Sequence, residues 1–85
     1  MPFVVTPEFH DQYQKVSDRS VQCVDDAILR IVRDPDSAWA RQGQVRGELG
    51  AAWLVVIECS GETWTIYWTW PHRDEPLQLL LLLPG

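Results

Sequence analysis

The spacing of apolar positions changes period along this chain. From Ala52 to Trp70 the residues form two runs rich in β-branched and aromatic side chains, which meet at Ser60-Gly61, a dipeptide suited to a two-residue hairpin loop. If Cys59 faces Glu62 across that turn, the outer pairs are Glu58 with Thr63, Ile57 with Trp64, Val56 with Thr65, Val55 with Ile66, Leu54 with Tyr67 and Trp53 with Trp68. Because side chains alternate along a strand, Trp53, Val55, Ile57, Trp64, Ile66 and Trp68 share a core face. Leu54, Val56, Glu58, Thr63, Thr65 and Tyr67 share the other face, which is mixed.

Upstream the period is helical. Phe3-Val4-Val5 is a short strand, and Thr6-Pro7-Glu8 signals a helix start: Thr as cap, Pro at the first position, Glu at the positive dipole end. Phe9, Tyr13 and Val16 then form one stripe of a helix of about ten residues. Ser17-Asp18 breaks it and caps a second helix, whose apolar face is Val21, Val24, Ala27, Ile28, Ile31 and Val32. Asp25, Asp26, Arg30 and Arg33 turn away. Asp34-Pro35 ends this helix, since a residue before Pro is pushed out of helical geometry.

From Asp36 to Gly50 the chain is polar and Gly-bearing and reads as a connector anchored by Trp39 and Val45. Pro71 to Pro76 is a polar turn. Leu77 to Leu83 is a last strand, apolar at nearly every position, hence central in the sheet or sealed by a partner. The expected order is β-α-α-β-β-β in a single domain, 1–85. This is an α+β fold, with a helical hairpin packed on the Trp53/Ile66 face of an antiparallel, four-stranded sheet.

Composition narrows the function. A chain of 85 residues has a thin margin of stability, which its five tryptophans and a dimer or other partner would increase. The formal net charge of −5 argues against general nucleic-acid affinity, which needs a basic surface to displace counterions. Four of the seven basic residues, Arg30, Arg33, Arg41 and Arg46, nevertheless fall between the second helix and the sheet. There is no basic segment followed by a long apolar run at the start, and five leucines are too few to span a bilayer. A cytoplasmic location away from membranes is expected. Cys23 and Cys59 lack metal-ligand spacing, so they read as reduced, packed thiols; no metal and no cofactor is expected.

The element order, together with Thr6-Pro7-Glu8-Phe9, the helix end Ile28-Leu29-Arg30-Ile31-Val32-Arg33-Asp34-Pro35, and Val45-Arg46-Gly47-Glu48-Leu49, resembles the RelE/ParE superfamily of toxin–antitoxin toxins. That family usually carries a Leu-(Lys/Arg)-Gly step at the last of these. Trp53 and Thr65-Ile66-Tyr67 resemble its aromatic-led second strand and its Tyr-Arg-x-x-Tyr third strand. The resemblance implies a cognate antitoxin as partner, and the ribosome or DNA gyrase as target. If active, such a chain would be a RelE-like endoribonuclease. Members that cut messenger RNA use basic residues on the exposed sheet face with an aromatic or His near the C-terminus. Here Leu54 and Val56 stand where Lys or Arg is common, Thr65 stands near the customary Arg, and Leu83-Pro84-Gly85 has no basic, aromatic tail. Of the family's charged positions only Arg46 is clearly retained. The expected chemistry is therefore weakened or absent, because little is left to stabilise a cleaving phosphodiester or to accept the 2′-hydroxyl proton.

Candidate sites follow from both readings. Arg41, Arg46 and Arg73 are phosphate-contact candidates, with Arg30 and Arg33 beside them; the alternative is pairing with nearby Asp34, Asp36 and Glu48. Two functions compete, a RelE/ParE-like toxin held by its antitoxin and a non-catalytic descendant of that fold that binds an antitoxin or a second copy; a free-standing nuclease with His72 as its acid or base is the third reading, with no second catalytic residue in view. His10 faces solvent. Leu54, Val56, Thr65 and Tyr67 form a partner-binding candidate, either for an antitoxin or for a second copy in a homodimer, because a lone monomer seldom exposes such an apolar strip.

Overall fold

A computed structural model describes residues 3–47 and 50–85 of the chain. Seven elements follow one another: β1 (Phe3–Val5), α1 (Pro7–Tyr13), α2 (Asp18–Arg33), β2 (Gly43–Gly47), β3 (Gly50–Cys59), β4 (Glu62–Thr69) and β5 (Leu77–Pro84). The fold is α+β. Its sheet has five strands in the order β1-β5-β4-β3-β2, and β1 runs parallel to β5 while the other pairs are antiparallel. The four-stranded, antiparallel sheet expected from the sequence is thus corrected in both count and direction.

The hairpin of β3 and β4 pairs in the expected register, from Cys59 with Glu62 out to Trp53 with Trp68. Ser60 (φ 53°) and Gly61 (φ 83°) both occupy the left-handed region, the backbone that twists a two-residue loop to match its strands. Val55, Ile57, Trp64, Ile66 and Trp68 are accordingly buried together beneath the helices, with Trp53 half-buried at the rim.

Each helix starts where its capping chemistry predicts. Thr6 Oγ1 accepts the Phe9 amide (3.1 Å) and donates to the Leu80 carbonyl (2.6 Å), so one hydroxyl both caps α1 and ties it to β5. α1 is shorter than expected and ends at Tyr13; Val16 is buried from the turn that follows it. α2 buries Val24, Ala27, Ile28, Ile31 and Val32, and also Ser20.

Two sequence expectations fail in the connector. The connector contains the edge strand β2, held to β3 from Gly43 with Leu54 to Gly47 with Gly50. A ladder partner supplies strand character that the Gly-bearing sequence alone does not suggest. Val45 is exposed on that strand and anchors nothing. Anchoring comes from Trp39, packed against the core, and from the fully buried Ala40, whose carbonyl accepts the Trp68 indole N–H at 2.8 Å.

Cys23 and Cys59 are joined in a disulfide, where reduced thiols were expected. Alternation places Cys59 on the covered face at the end of β3, directly under the α2 turn that bears Cys23. The fold brings together two residues 36 positions apart in sequence.

In β5 the alternation switches phase. Tyr67 pairs with Leu81 but Trp68 pairs with Leu79, which leaves Leu80 as an extra residue at a bulge. Leu77 and Leu79 therefore point into the core before the switch and Leu82 after it, all fully buried. The strand lies between β1 and β4 in the sheet interior, as its composition requires.

Candidate functional site: the open face of the sheet

The helices cover one face of the sheet and leave the other bare. Register assigns the bare face to Val45 of β2, Leu54, Val56 and Glu58 of β3, Thr63, Thr65, Tyr67 and Thr69 of β4, and Gln78, Leu81 and Leu83 of β5. Val56 (44% exposed), Val45 (42%) and Leu83 (36%) are open to solvent, and Leu54, Tyr67 and Leu81 are half-buried by one another. Leu54 lies across the backbone of Gly43, where an added Cβ would meet its Cγ at 3.0 Å. A glycine in the edge strand is what lets this leucine lie flat.

The partner-binding candidates Leu54, Val56, Thr65 and Tyr67 therefore lie together on this face. Thr65 is the least available, at 8% exposure, and its hydroxyl donates to the Gly85 carbonyl at 2.9 Å. The face bears one carboxylate, Glu58, which accepts from the Thr63 hydroxyl at 2.9 Å, and no Lys, Arg or His among the described residues. A phosphodiester lying here would meet one anion and, among the described residues, no cation to offset the charge that develops when such a bond breaks.

The phosphate-contact candidates lie off this face. Arg41 and Arg73 meet at Asp36, with nitrogen–oxygen distances of 2.6 and 2.9 Å, and Arg41 Nε also donates to the Pro35 carbonyl at 2.9 Å. The Arg73 hydrogen bond, helped by the charges of Arg73 and Arg41, lowers the pKa of the Asp36 carboxyl below its ordinary value. Each guanidinium also lies over an indole: Arg41 over Trp53 (4.7 Å), Arg73 over Trp70 (4.3 Å) and Arg30 over Trp39 (4.2 Å). These cations lie over tryptophan faces, Arg30 reaching Trp39 from α2 itself. Pairing of Arg41 with Asp36 was one of the two readings open in the sequence; the reach of Arg73 across from the β4–β5 turn was not legible there. Arg46 stands exposed on the edge strand β2, opposite Ala51. Its motif neighbours Glu48 and Leu49 lie outside the described residues, as does Met1-Pro2.

His72 and His10 are both exposed. Among the described residues no three His, Cys, Asp or Glu side chains gather as a metal site would require, and no helix is long and apolar enough to cross a membrane.

A second polar cluster, missed in the sequence, fastens α2 to the hairpin. Glu62 Oε1 accepts from Ser17 Oγ (2.8 Å) and Ser20 Oγ (2.5 Å), Ser20 Oγ is also 3.1 Å from the Cys59 carbonyl, and Ser60 Oγ donates to the Arg19 carbonyl (3.1 Å). The Ser20 bond first, then that of Ser17, lowers the pKa of Glu62. With both hydroxyls committed to one carboxylate oxygen, the cluster is a latch beside the disulfide and holds no activated nucleophile. Its signal was the polar Ser20 within the spacing of an otherwise apolar helix face.

No protein-family model, no curated protein and no solved structure matches this chain.

Proposed function

We propose that this protein is a non-catalytic protein-interaction module of RelE/ParE-like descent, which closes a homodimer through the bare face of its sheet. The observation that supports it is the composition of that face: exposed Val56 and Leu83 beside half-buried Leu54, Tyr67 and Leu81, with Glu58 the lone charge among the described residues. A second copy is the occupant favoured here. A nearly uncharged face offers little to a strongly charged partner, whereas rows of threonine and aliphatic side chains pack on their like, and two-fold pairing of one patch with itself is the commonest closed assembly. The β-α-α order and the Val45-Arg46-Gly47 step support the descent. The lack of cations on the bare face argues against RNA cutting.

Sedimentation of the purified chain tests the reading. The wild type should run as a dimer and Val56→Arg as a folded monomer, since an arginine at the centre of a two-fold contact meets its own copy. A wild-type monomer at concentrations near 100 times a micromolar Kd would overturn the dimer. Induced expression in a bacterial host should leave growth unaffected. Arrest that Arg46→Ala relieves would restore the toxin reading with its antitoxin partner.

A further inference from the structure

On the helical side of the sheet, far from the bare face, β1 and the two helices enclose a cleft of about 470 Å³, within the size range of small-ligand sites. Phe3 and Val5 reach it because they pair with Leu77 and Leu79, the inward positions of β5. Phe9, Ile28 and Leu29 complete the apolar wall. Phe3, Val5 and Leu29 remain 39%, 43% and 42% exposed, so the cleft holds apolar surface that the fold itself does not cover.

One wall is polar. Tyr13 donates its hydroxyl hydrogen to Oδ1 of Asp25, which orients the carboxylate and leaves Oδ2 available. Asp25 was expected to turn to solvent; it is half-buried and lines the cleft instead. The bond to Asp25, aided by burial, raises the pKa of the Tyr13 phenol, which keeps it a neutral donor. Gln22 at the rim is engaged by Asp26 at 2.9 Å, and His10 stands exposed at the mouth. Among the described residues no Lys or Arg lines the cleft.

We propose that this cleft binds a small hydrophobic amine, its ammonium group on Asp25 and its apolar body between Phe3 and Leu29. An oriented carboxylate at the side of an apolar cleft selects for a cation over a neutral group, because the charge-assisted bond is the stronger one. It selects against an anion by repulsion. The proposal does not depend on how the bare face is used.

Titration of the full chain with 2-phenylethylamine, 2-phenylethanol and phenylacetate, followed by NMR shifts and calorimetry, tests it. The amine should bind saturably and about tenfold more tightly than the alcohol, the ratio expected for one charged hydrogen bond, and the acid should not bind. Shifts should centre on Phe3, Tyr13 and Leu29. Asp25→Asn should bring the amine down to the level of the alcohol, and Tyr13→Phe, which frees the carboxylate, should retain the preference. Absence of saturable amine binding to the wild type, equal affinity for amine and alcohol, or a preference that survives Asp25→Asn would each overturn the assignment.

Discussion

The two faces of the sheet are drawn from alternate residues of the same strands, yet they differ in what secures them. On the covered face Val55, Ile66 and Trp68 are sealed from water, and every nearby element adds a tie: the Trp68 indole to Ala40, the Glu62 latch to Ser17 and Ser20, the disulfide to α2. On the bare face Val56 and Leu83 have solvent above them. Substitutions on the first face should therefore be felt in stability, and those on the second in association.

The sharpest break of this contrast is Trp68→Ala. It removes a fully buried indole and strands the Ala40 carbonyl that accepted its N–H, so a loss of about 3–5 kcal/mol is expected in chemical denaturation. A loss below about 1 kcal/mol, the size of an ordinary surface change, would mean that the two faces are not distinguished as described. Next in size is the disulfide. Closing a loop of 36 residues between Cys23 and Cys59 stabilises the fold by about 2–4 kcal/mol, and a thermal melt with and without reductant should show that difference. Two titratable thiols in the air-oxidised protein would show the bond to be absent.

How much of this was legible beforehand depended on whether a local signal fixed the answer. A two-residue loop at Ser60-Gly61 fixes the register of the strands that it joins, and that loop settled seven cross-strand pairs, from Cys59–Glu62 to Trp53–Trp68. Thr6-Pro7 likewise specified the start of α1. Where the determinant was a distant neighbour, the sequence was silent. Gly43–Gly47 is a strand because β3 offers it a ladder, the parallel direction of β1 follows from where the helical crossover returns the chain, and five successive leucines conceal the bulge at Leu80.

The same division holds at the candidate sites. Leu54, Val56 and Tyr67 could be placed on one face from the turn alone, whereas the meeting of Arg41, Arg73 and Asp36 and that of Tyr13 with Asp25 depend on tertiary placement. The cysteines combine both cases. Alternation put Cys59 inward, but only the docking of α2 brings Cys23 above it.

A smaller effect should come from pH, through the latch. The folded-state pKa of Glu62 lies below its ordinary value of 4.5, chiefly through the Ser20 bond and then that of Ser17. A depressed carboxyl adds stability that is present above its unfolded pKa and lost as pH falls through the folded one. Wild type should therefore exceed Glu62→Gln in stability near neutrality, with the gap narrowing as pH drops from about 6 to about 3. A gap that stays constant over that range would show that the Ser17 and Ser20 bonds do not depend on the charge.

The smallest effect on the fold, and the one that sharpens the contrast most, belongs to Val56→Arg. Val56 is nearly half-exposed, has solvent above it and forms no part of the core cluster, so its replacement should shift monomer stability by no more than about 0.5 kcal/mol. The backbone bond from the Val56 amide to the Gln42 side chain (3.0 Å) does not involve the side chain being changed. If the bare face is an interface, the dimer's share of stability is set by protein concentration, so the wild-type melting temperature should rise with concentration while that of the variant stays flat. A variant that loses stability at every concentration would show that Val56 serves the fold itself, and the bare face would then differ from the covered one only in degree.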